Sequence, residues 1–335
     1  MKALIPAAGR GTRLYPHTHT KPKAMVRLAG RPILGHILDS LSETRIDEVV
    51  IVVGGPMQDQ IVEYARSAFG DEFEFSFPEE ESPEGLGHAV YQAREVVEGE
   101  SVVIALGDML FENGYETFLT AHDQFEDVDG SIGLKSVEEP QHYGIAEIDG
   151  EYITSLVEKP DDPPSNEAIS GAYIVENTPA LFAALEHFVE NDIRGAGDEY
   201  QLTDALDRML DQGCTLGRFD VEDWYDCGRP ETLLEANRVL LESLETDDGA
   251  ETVRSVVVPP VDIGDDVTIE ESVVGPDVSI DDGSTVTNSI VRDSILGQDA
   301  TLTTVNITHS IIGTNTNVEG EANELNLGDN STLEL

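Results

Sequence analysis

The chain has 335 residues, of which 67 are acidic and 19 basic, for a formal net charge of −48; 39% of residues are hydrophobic. This apolar content supports a folded core and excludes a disordered chain, the charge makes nucleic acid a poor partner, and the absence of a run of about 18 apolar residues excludes a membrane-spanning helix. The opening "MKALIPAAG" is too short for the apolar part of a signal peptide, so a cytoplasmic location is expected, with Cys214 and Cys227 as reduced thiols.

In chain order, "KALIPA" reads as a buried strand running into a loop at Gly9 and Gly11. "PILGHILDSLSE" has apolar residues at helical spacing, with Pro32 suited to the first turn. "EVVIVVGG" is a second buried strand, "DQIVEYARSAF" a helix, "FEFSF" a strand, "GLGHAVYQAREVV" a helix, and "SVVIALGD" a strand ending in Gly-Asp. Continuous apolar strands separated by helices indicate a parallel sheet covered on both faces, whose ligands sit at the carboxyl ends of the strands. The Gly9 loop and Asp108 both fall there.

From about residue 131, "GSIGLKSV", "GIAEID", "YITSLVEK" and "AISGAYIV" are closely spaced strands that suggest an antiparallel insertion. "PALFAALEHFVEN" and "YQLTDALDRMLDQG" follow as helices, the second expected to carry Tyr200 and Leu202 in its core. "TLGRFDVEDWYDCG" returns to strand, and "RPETLLEANRVLLESLE" is a closing helix. After about residue 248 a short apolar step recurs every five or six residues, as in "VTIEES", "VSIDDG" and "ILGQDA". Units this small cannot bury their own faces, and stacking them gives a left-handed parallel β-helix. A β-sandwich is the alternative, but the turns come too often for strands of ordinary length.

The charge is distributed unevenly. No acid precedes Asp39, whereas Lys2, Arg10, Arg13, Lys21, Lys23, Arg27 and Arg31 supply seven of the 19 basic residues. Elsewhere acids are spread in short blocks, which reads as adaptation to a salt-rich cytoplasm, where a Debye length of about 3 Å at molar salt screens self-repulsion. The Gly9 loop fits neither dinucleotide-binding nor P-loop spacing, because Leu14 stands where each needs glycine. A purely structural turn leaves the flanking Arg13 and Lys23 unexplained. A glycine loop open to an anion, completed by fixed cations, accounts for both.

The stretch "AAGRGTRLYPHTHTKPKAM" resembles the signature of the sugar-1-phosphate nucleotidyltransferases, and "ESPEGLGHAVYQA", "LGDM", "HYGIAEID", "VEKP", "SGAYIV", "EYQLTDAL" and "WYDCGRPETLLEANR" follow in that family's order. The long-form glucose-1-phosphate thymidylyltransferases are the subgroup most similar. The resemblance implies a Rossmann-like, GT-A-like mixed-sheet α/β domain over 1–245 and a left-handed β-helix over 250–335. It also implies attack of a sugar phosphate on the α-phosphorus of a nucleoside triphosphate, dTTP or UTP, with Mg²⁺. By resemblance, Ala8, Gly9, Gly11, Thr12, Arg13, Lys23, Glu80 and Gly85 hold the nucleotide. Arg13 and Lys23 stabilise the transferring phosphate, and Asp108 and Asp226 ligate the metal. Tyr143, Gly144, Glu158, Lys159, Gly171 and Tyr173 hold the sugar phosphate, and Trp224 packs beneath the site. The substrates are the expected small-molecule partners; neither nucleic acid nor membrane is expected, and the β-helix implies a homo-oligomer.

Two positions depart from the family. Cys227 replaces a common Thr, and Glu80 stands where the base-reading residue is usually Gln. Glu80 either faces the base, where a carboxylate suits guanine's paired donors, or turns outward from an acid-rich loop. A β-helix that transfers acetyl groups needs a catalytic histidine, and the repeats offer only His309. A non-catalytic regulator would have lost loop or metal residues, which this chain keeps.

Overall fold

In the computed structural model, residues 1–9, 11–222, 224–244 and 251–321 are described. They form two compact units, one of Met1–Arg27 with Arg31–Leu233, the other of Leu28–Gly30 with Leu234–Leu335. The boundary expected between 245 and 250 and the last part of the expected β-helix, 322–335, lie outside the described residues.

The first unit is built on β1 (Lys2–Pro6), β2 (Glu48–Val52), β3 (Glu74–Ser76), β4 (Val102–Ala105), β5 (Met109–Phe111), β6 (Gly130–Ser136), β7 (Gly144–Asp149), β8 (Tyr152–Glu158), β9 (Glu167–Val175), β10 (Leu216–Asp220) and β11 (Trp224–Asp226). Its helices are α1 (Ile33–Ser42), α2 (Gln58–Phe69), α3 (Leu86–Gln92), α4 (Arg94–Val97), α5 (Gly114–His122), α6 (Thr178–Glu190) and α7 (Leu202–Asp211); α8 (Pro230–Ser243) follows. Nine strands make one sheet in the order β3-β2-β1-β4-β9-β6-β10-β8-β7. The first four are mutually parallel, and β9 joins β4 antiparallel, pairing Ala172 with Ala105. The strands read as a separate antiparallel insertion thus extend the same sheet, because β9 uses the free edge of β4 and carries β6 and β7 with it.

Ala3, Leu4 and Ile5 of β1 are all fully buried, as a strand covered on both faces requires. On one face Val90, Ala93 and Val97, Leu181, Phe182 and Leu185, and Leu202, Leu206 and Met209 pack into a common core with the strands. The helix expected over "GLGHAVYQAREVV" breaks at Ala93 into α3 and α4. Pro32 sits just before α1 rather than in its first turn. Tyr200 is buried but precedes α7, which begins at Leu202. No helix among the described residues is long and apolar enough to cross a membrane.

The second unit is the left-handed parallel β-helix expected from the repeat. Glu251–Val253, Thr268–Glu270, Thr285–Thr287, Thr301–Thr303 and Asn317–Glu319 stack in parallel register as one face. Val261–Ile263 pairs with Val278–Ile280, which pairs with Ser294–Leu296, on another. Each coil therefore contains about three of the short apolar steps, and one apolar residue per step, such as Ile269, Val286 and Leu302, enters the core. Inside one corner, Ser255 Oγ accepts from Ser272 N at 3.1 Å, and Ser272 Oγ from Ser289 N at 3.0 Å. The corner residues Arg254, Glu271, Asn288 and Thr304 all have left-handed φ, between 47° and 58°. His309 Nδ1 lies 2.9 Å from Asp293 Oδ2, and Asp293 also accepts from Arg238. His309 therefore belongs to an ion-paired corner.

Candidate active site

The parallel pairing of β1 with β4 brings both carboxyl ends to one edge of the sheet. Beyond β1 the chain turns through Gly11 at φ 59°, where a Cβ would lie 2.8 Å from Thr18 Cγ2 and 3.0 Å from Lys23 Cβ. Only glycine meets both the conformation and the space. Thr18 Oγ1 donates to Gly11 O at 2.9 Å and closes the loop. Leu14, the residue that spoils both glycine-loop motifs, is fully buried and pins the short turn Thr12–Leu14 carrying Arg13.

Beyond β4, Asp108 leads into β5, which pairs antiparallel with β11 so that Asp226 stands opposite Met109. Cys227 N–H donates to Asp108 O at 2.9 Å, and Gly228 N–H donates to Asp226 Oδ1 at 2.8 Å. Two carboxylates 118 positions apart are thereby fixed on neighbouring strands. Lys23 Nζ forms an ion pair with Asp108. A Cβ on Gly228 would lie 2.5 Å from Asp226 Oδ1, 2.8 Å from Lys23 Nζ and 3.4 Å from Arg13 Nη2. Gly228 is thus the missing side chain around which two cations and a carboxylate gather, a role the sequence reading did not assign although it quoted "WYDCG". Cys227 is fully buried; burial, then the Asp108 charge, pushes its thiol far above the usual range, so it remains protonated. Among the described residues no three His, Cys, Asp or Glu side chains form a metal cage. Two carboxylates beside two fixed cations are a donor set that could hold Mg²⁺, an ion that completes its oxygen ligands from other groups and water.

Across the cavity, Glu158 at the end of β8 pairs with Gly144 at the start of β7. Glu158 Oε1 lies 2.8 Å from Lys159 Nζ, and its Oε2 accepts from Thr203 Oγ1 at 2.7 Å. A Cβ at Gly144 would meet Glu158 Oε2 at 2.9 Å, and Gly171, at φ 90°, would meet Leu106 Cδ1 at 2.9 Å. Tyr173 is buried, and burial followed by the Glu158 charge raises its hydroxyl well above the usual range. Trp224 does not pack beneath the site. It lines the cavity, its ring 5.6 Å from that of Tyr143, because β11 turns it to the same side as Asp226 two residues on. Thr203, Gln201 and Glu199 also line the wall and were missed; they lie within "EYQLTDAL", of which only Tyr200 and Leu202 were expected in a helix core.

Glu80 is 3% exposed and lines the cavity, so it does not turn outward. Glu80 N–H donates to Val53 O at 2.8 Å, tying the residue to the sheet edge. Burial raises its carboxyl above the usual range, against an opposing hydrogen bond from His88. Gly85, at φ 119°, sits so close to the chain before α7 that a Cβ would lie 2.6 Å from Tyr200 O. One cavity of about 670 Å³ is lined by all the residues expected to hold nucleotide, metal and sugar phosphate.

The sequence profile of the nucleotidyl transferase family matches residues 2–243. The chain belongs to the nucleotidyl transferase family. This nucleotidyl transferase is 35% identical over 244 residues to the low-salt glycan biosynthesis nucleotidyltransferase Agl11 of Haloferax volcanii, a match covering 72% of the chain and 66%, less than two thirds, of that relative. It is 33% identical to the UTP–glucose-1-phosphate uridylyltransferase AglF of the same organism, covering 72% of the chain and 97% of AglF. It is also 33% identical to the glucose-1-phosphate thymidylyltransferase of Streptomyces antibioticus, covering 79% and 73%. A crystal structure of UDP-glucose pyrophosphorylase complexed with UDP-glucose superposes with a TM-score of 0.61 at 27% identity, covering 72% of this chain and 99% of that one. The nucleotidyl transferase match falls on the first unit and α8, and the β-helix lies beyond it.

Proposed function

We propose that the protein transfers a nucleotidyl group from UTP or dTTP to glucose-1-phosphate, releasing pyrophosphate and forming the nucleotide sugar. The observation that carries this reading is the single cavity in which Arg13, Lys23, Asp108 and Asp226 face Glu158 and Lys159. A phosphate oxygen of the sugar phosphate attacks the α-phosphorus; the new P–O bond forms as the bond to pyrophosphate breaks. The nucleophile is already an anion, so no strong base is needed, and the barrier lies in bringing two polyanions together and stabilising the leaving group.

Arg13 and Lys23 supply fixed positive charge to the phosphates, and the Gly9–Gly11 backbone permits close approach. Glu158 accepts from sugar hydroxyls while Lys159 pairs with the sugar phosphate; Thr203 holds the Glu158 carboxylate from behind. Asp108 and Asp226 would hold Mg²⁺, which supplies charge neutralisation at the phosphates. The ion pair with Lys23 holds the Asp108 carboxylate in place for that role.

The names of AglF, the Streptomyces relative and the UDP-glucose pyrophosphorylase all point to a pyrimidine nucleotide and a glucosyl group. The test is to incubate the purified chain with UTP or dTTP, glucose-1-phosphate and Mg²⁺ in concentrated KCl and to separate the products. Nucleotide-glucose and pyrophosphate in equal amounts, abolished by a chelator, are expected. Release of nucleoside diphosphate and orthophosphate instead would contradict the reading.

A further inference from the structure

The two oxygens of the Glu80 carboxylate are not equivalent. Oε1 lies 2.6 Å from His88 Nδ1 and also accepts from the Glu84 backbone N–H at 3.4 Å. On the far side of the ring, Gln92 Nε2, a donor only, lies 3.0 Å from His88 Nε2. That ring nitrogen therefore accepts, the ring proton sits on Nδ1, and His88 donates it to Oε1. Oε2 has no hydrogen-bond partner among the described residues, yet it is not one of the sealed unsatisfied atoms. Glu80 lines the cavity, so Oε2 is the oxygen left to accept from a ligand there. His88 is itself fixed, its ring 5.9 Å from Tyr200 and tilted by 31°. Gln92 stands one turn along α3.

We infer that His88 is a positioning residue that makes Glu80 a one-acceptor reader of the nucleobase, selecting uracil or thymine. This rests on reading the cavity as a nucleotide site. Uracil and thymine present a single N–H, at N3, between two carbonyl groups, and one acceptor matches it. Cytosine presents a lone pair at N3, which Oε2 repels. Guanine presents N1–H and N2–H side by side, a pair best taken by two carboxylate oxygens. A carboxylate oxygen has two lone-pair directions, and both of those on Oε1 are filled by His88 and Glu84. The bidentate grip that would favour guanine is therefore withdrawn by His88.

Ionised Glu80 is the form that accepts. Burial raises its carboxyl, the His88 hydrogen bond opposes that, and the charge of Glu84 adds to the rise. The remaining groups around it are Tyr200 against His88, Glu199 against Gly85, and Arg194, which pairs with Glu84 at 2.5 Å and stacks on Tyr200 at 4.4 Å.

The test is equilibrium binding of UTP, dTTP, CTP and GTP to the full chain with Mg²⁺ in concentrated KCl. Wild type should bind UTP and dTTP at least about tenfold more tightly than CTP or GTP. His88→Ala should weaken UTP about tenfold and CTP less than about threefold, so that selectivity collapses. His88→Asn, whose amide N–H can stand in for Nδ1–H, should recover part of it. Should His88→Ala fail to fold, His88→Phe keeps the ring beside Tyr200 without the N–H and carries the same expectation, as does Glu80→Ala. In wild type the UTP dissociation constant should rise as pH falls and Glu80 takes up its proton; in Glu80→Gln that dependence should vanish. A wild type that binds CTP or GTP as tightly as UTP overturns the inference. So does an unchanged UTP-to-CTP ratio in folded His88→Ala. Selective UTP binding without pyrophosphate release would sink the transfer reading and leave this one standing; release with a preference for CTP or GTP would do the reverse.

Discussion

The cavity of the transferase unit and the coils of the β-helix use charge differently. Around the cavity ion pairs are partly sheltered, whereas elsewhere in the same unit pairs such as Arg31–Asp39 and Arg45–Asp123 lie in solvent. The side chains of Lys23 and Asp108 are 13% and 29% exposed, and that of Glu158 beside Lys159 is 11% exposed. In the β-helix the pair Arg254–Glu271 is 73% and 51% exposed, and order inside is kept by neutral serines and backbone. Pairs in solvent contribute about 0–1 kcal/mol, whereas charges gathered in a cavity act through a lower dielectric and shape whatever enters. The acid-free first 38 residues belong to this contrast. They supply Arg13 and Lys23 to the cavity lining of a chain that is elsewhere strongly acidic.

The contrast can be broken at several points. Asp108→Asn should fold normally and lose about a hundredfold or more in kcat, because a neutral ligand weakens metal binding and charge stabilisation. A loss below about threefold with unchanged Mg²⁺ affinity would remove Asp108 from the site. Low salt should act on the whole chain. Unscreened repulsion among the 67 acids should lower the melting temperature by about ten degrees or more between molar and about 50 mM KCl. An equal melting temperature at both would end the salt-adapted reading.

Gly228→Ala inserts a methyl group into contact with Asp226 and Lys23. It should lower kcat/KM about tenfold while leaving the melting temperature nearly unchanged, and a fully active variant would show that the cation cluster tolerates displacement. In the β-helix the expected pattern reverses. Ser272 is buried, and its Oγ accepts from Ser289 N, so Ser272→Ala leaves that N–H unsatisfied. Chemical denaturation should show a loss of about 1–2 kcal/mol, with kcat within about twofold of wild type.

What the sequence revealed differed between the units for the same physical reason. In the β-helix each residue meets its counterpart 16 or 17 positions away, as Ile269 meets Val286 and Val286 meets Leu302, so the short apolar step exposes the architecture. In the transferase unit the decisive contacts are distant. Asp108 O accepts from Cys227 N–H, next to Asp226, and Glu158 accepts from Thr203, and no local period announces either contact. Asp108, Asp226 and Glu158 were found through family resemblance, which names positions that align with a motif and is silent on what surrounds them. Gly228 was passed over because its role is the space it leaves, and Thr203 because it stands in an amphipathic helix. Trp224 was misplaced because the side a short strand presents depends on its partner, here β5. The joining of β9 to β4 was likewise invisible, since both strands read as buried whichever edge they occupy. Glu80 was recognisable as a departure, but its direction depended on His88, eight residues on and in the next helix.

The central claim is that one cavity aligns a pyrimidine triphosphate, a sugar phosphate and fixed positive charge for transfer. It is tested most directly by pyrophosphate release measured for each of four nucleoside triphosphates against several sugar-1-phosphates, with Mg²⁺ at high salt. The account predicts release that requires both substrates, is greatest for UTP or dTTP with glucose-1-phosphate, and falls about a hundredfold in Asp108→Asn. Absence of release from every pair, or release that does not depend on the sugar phosphate, would contradict it.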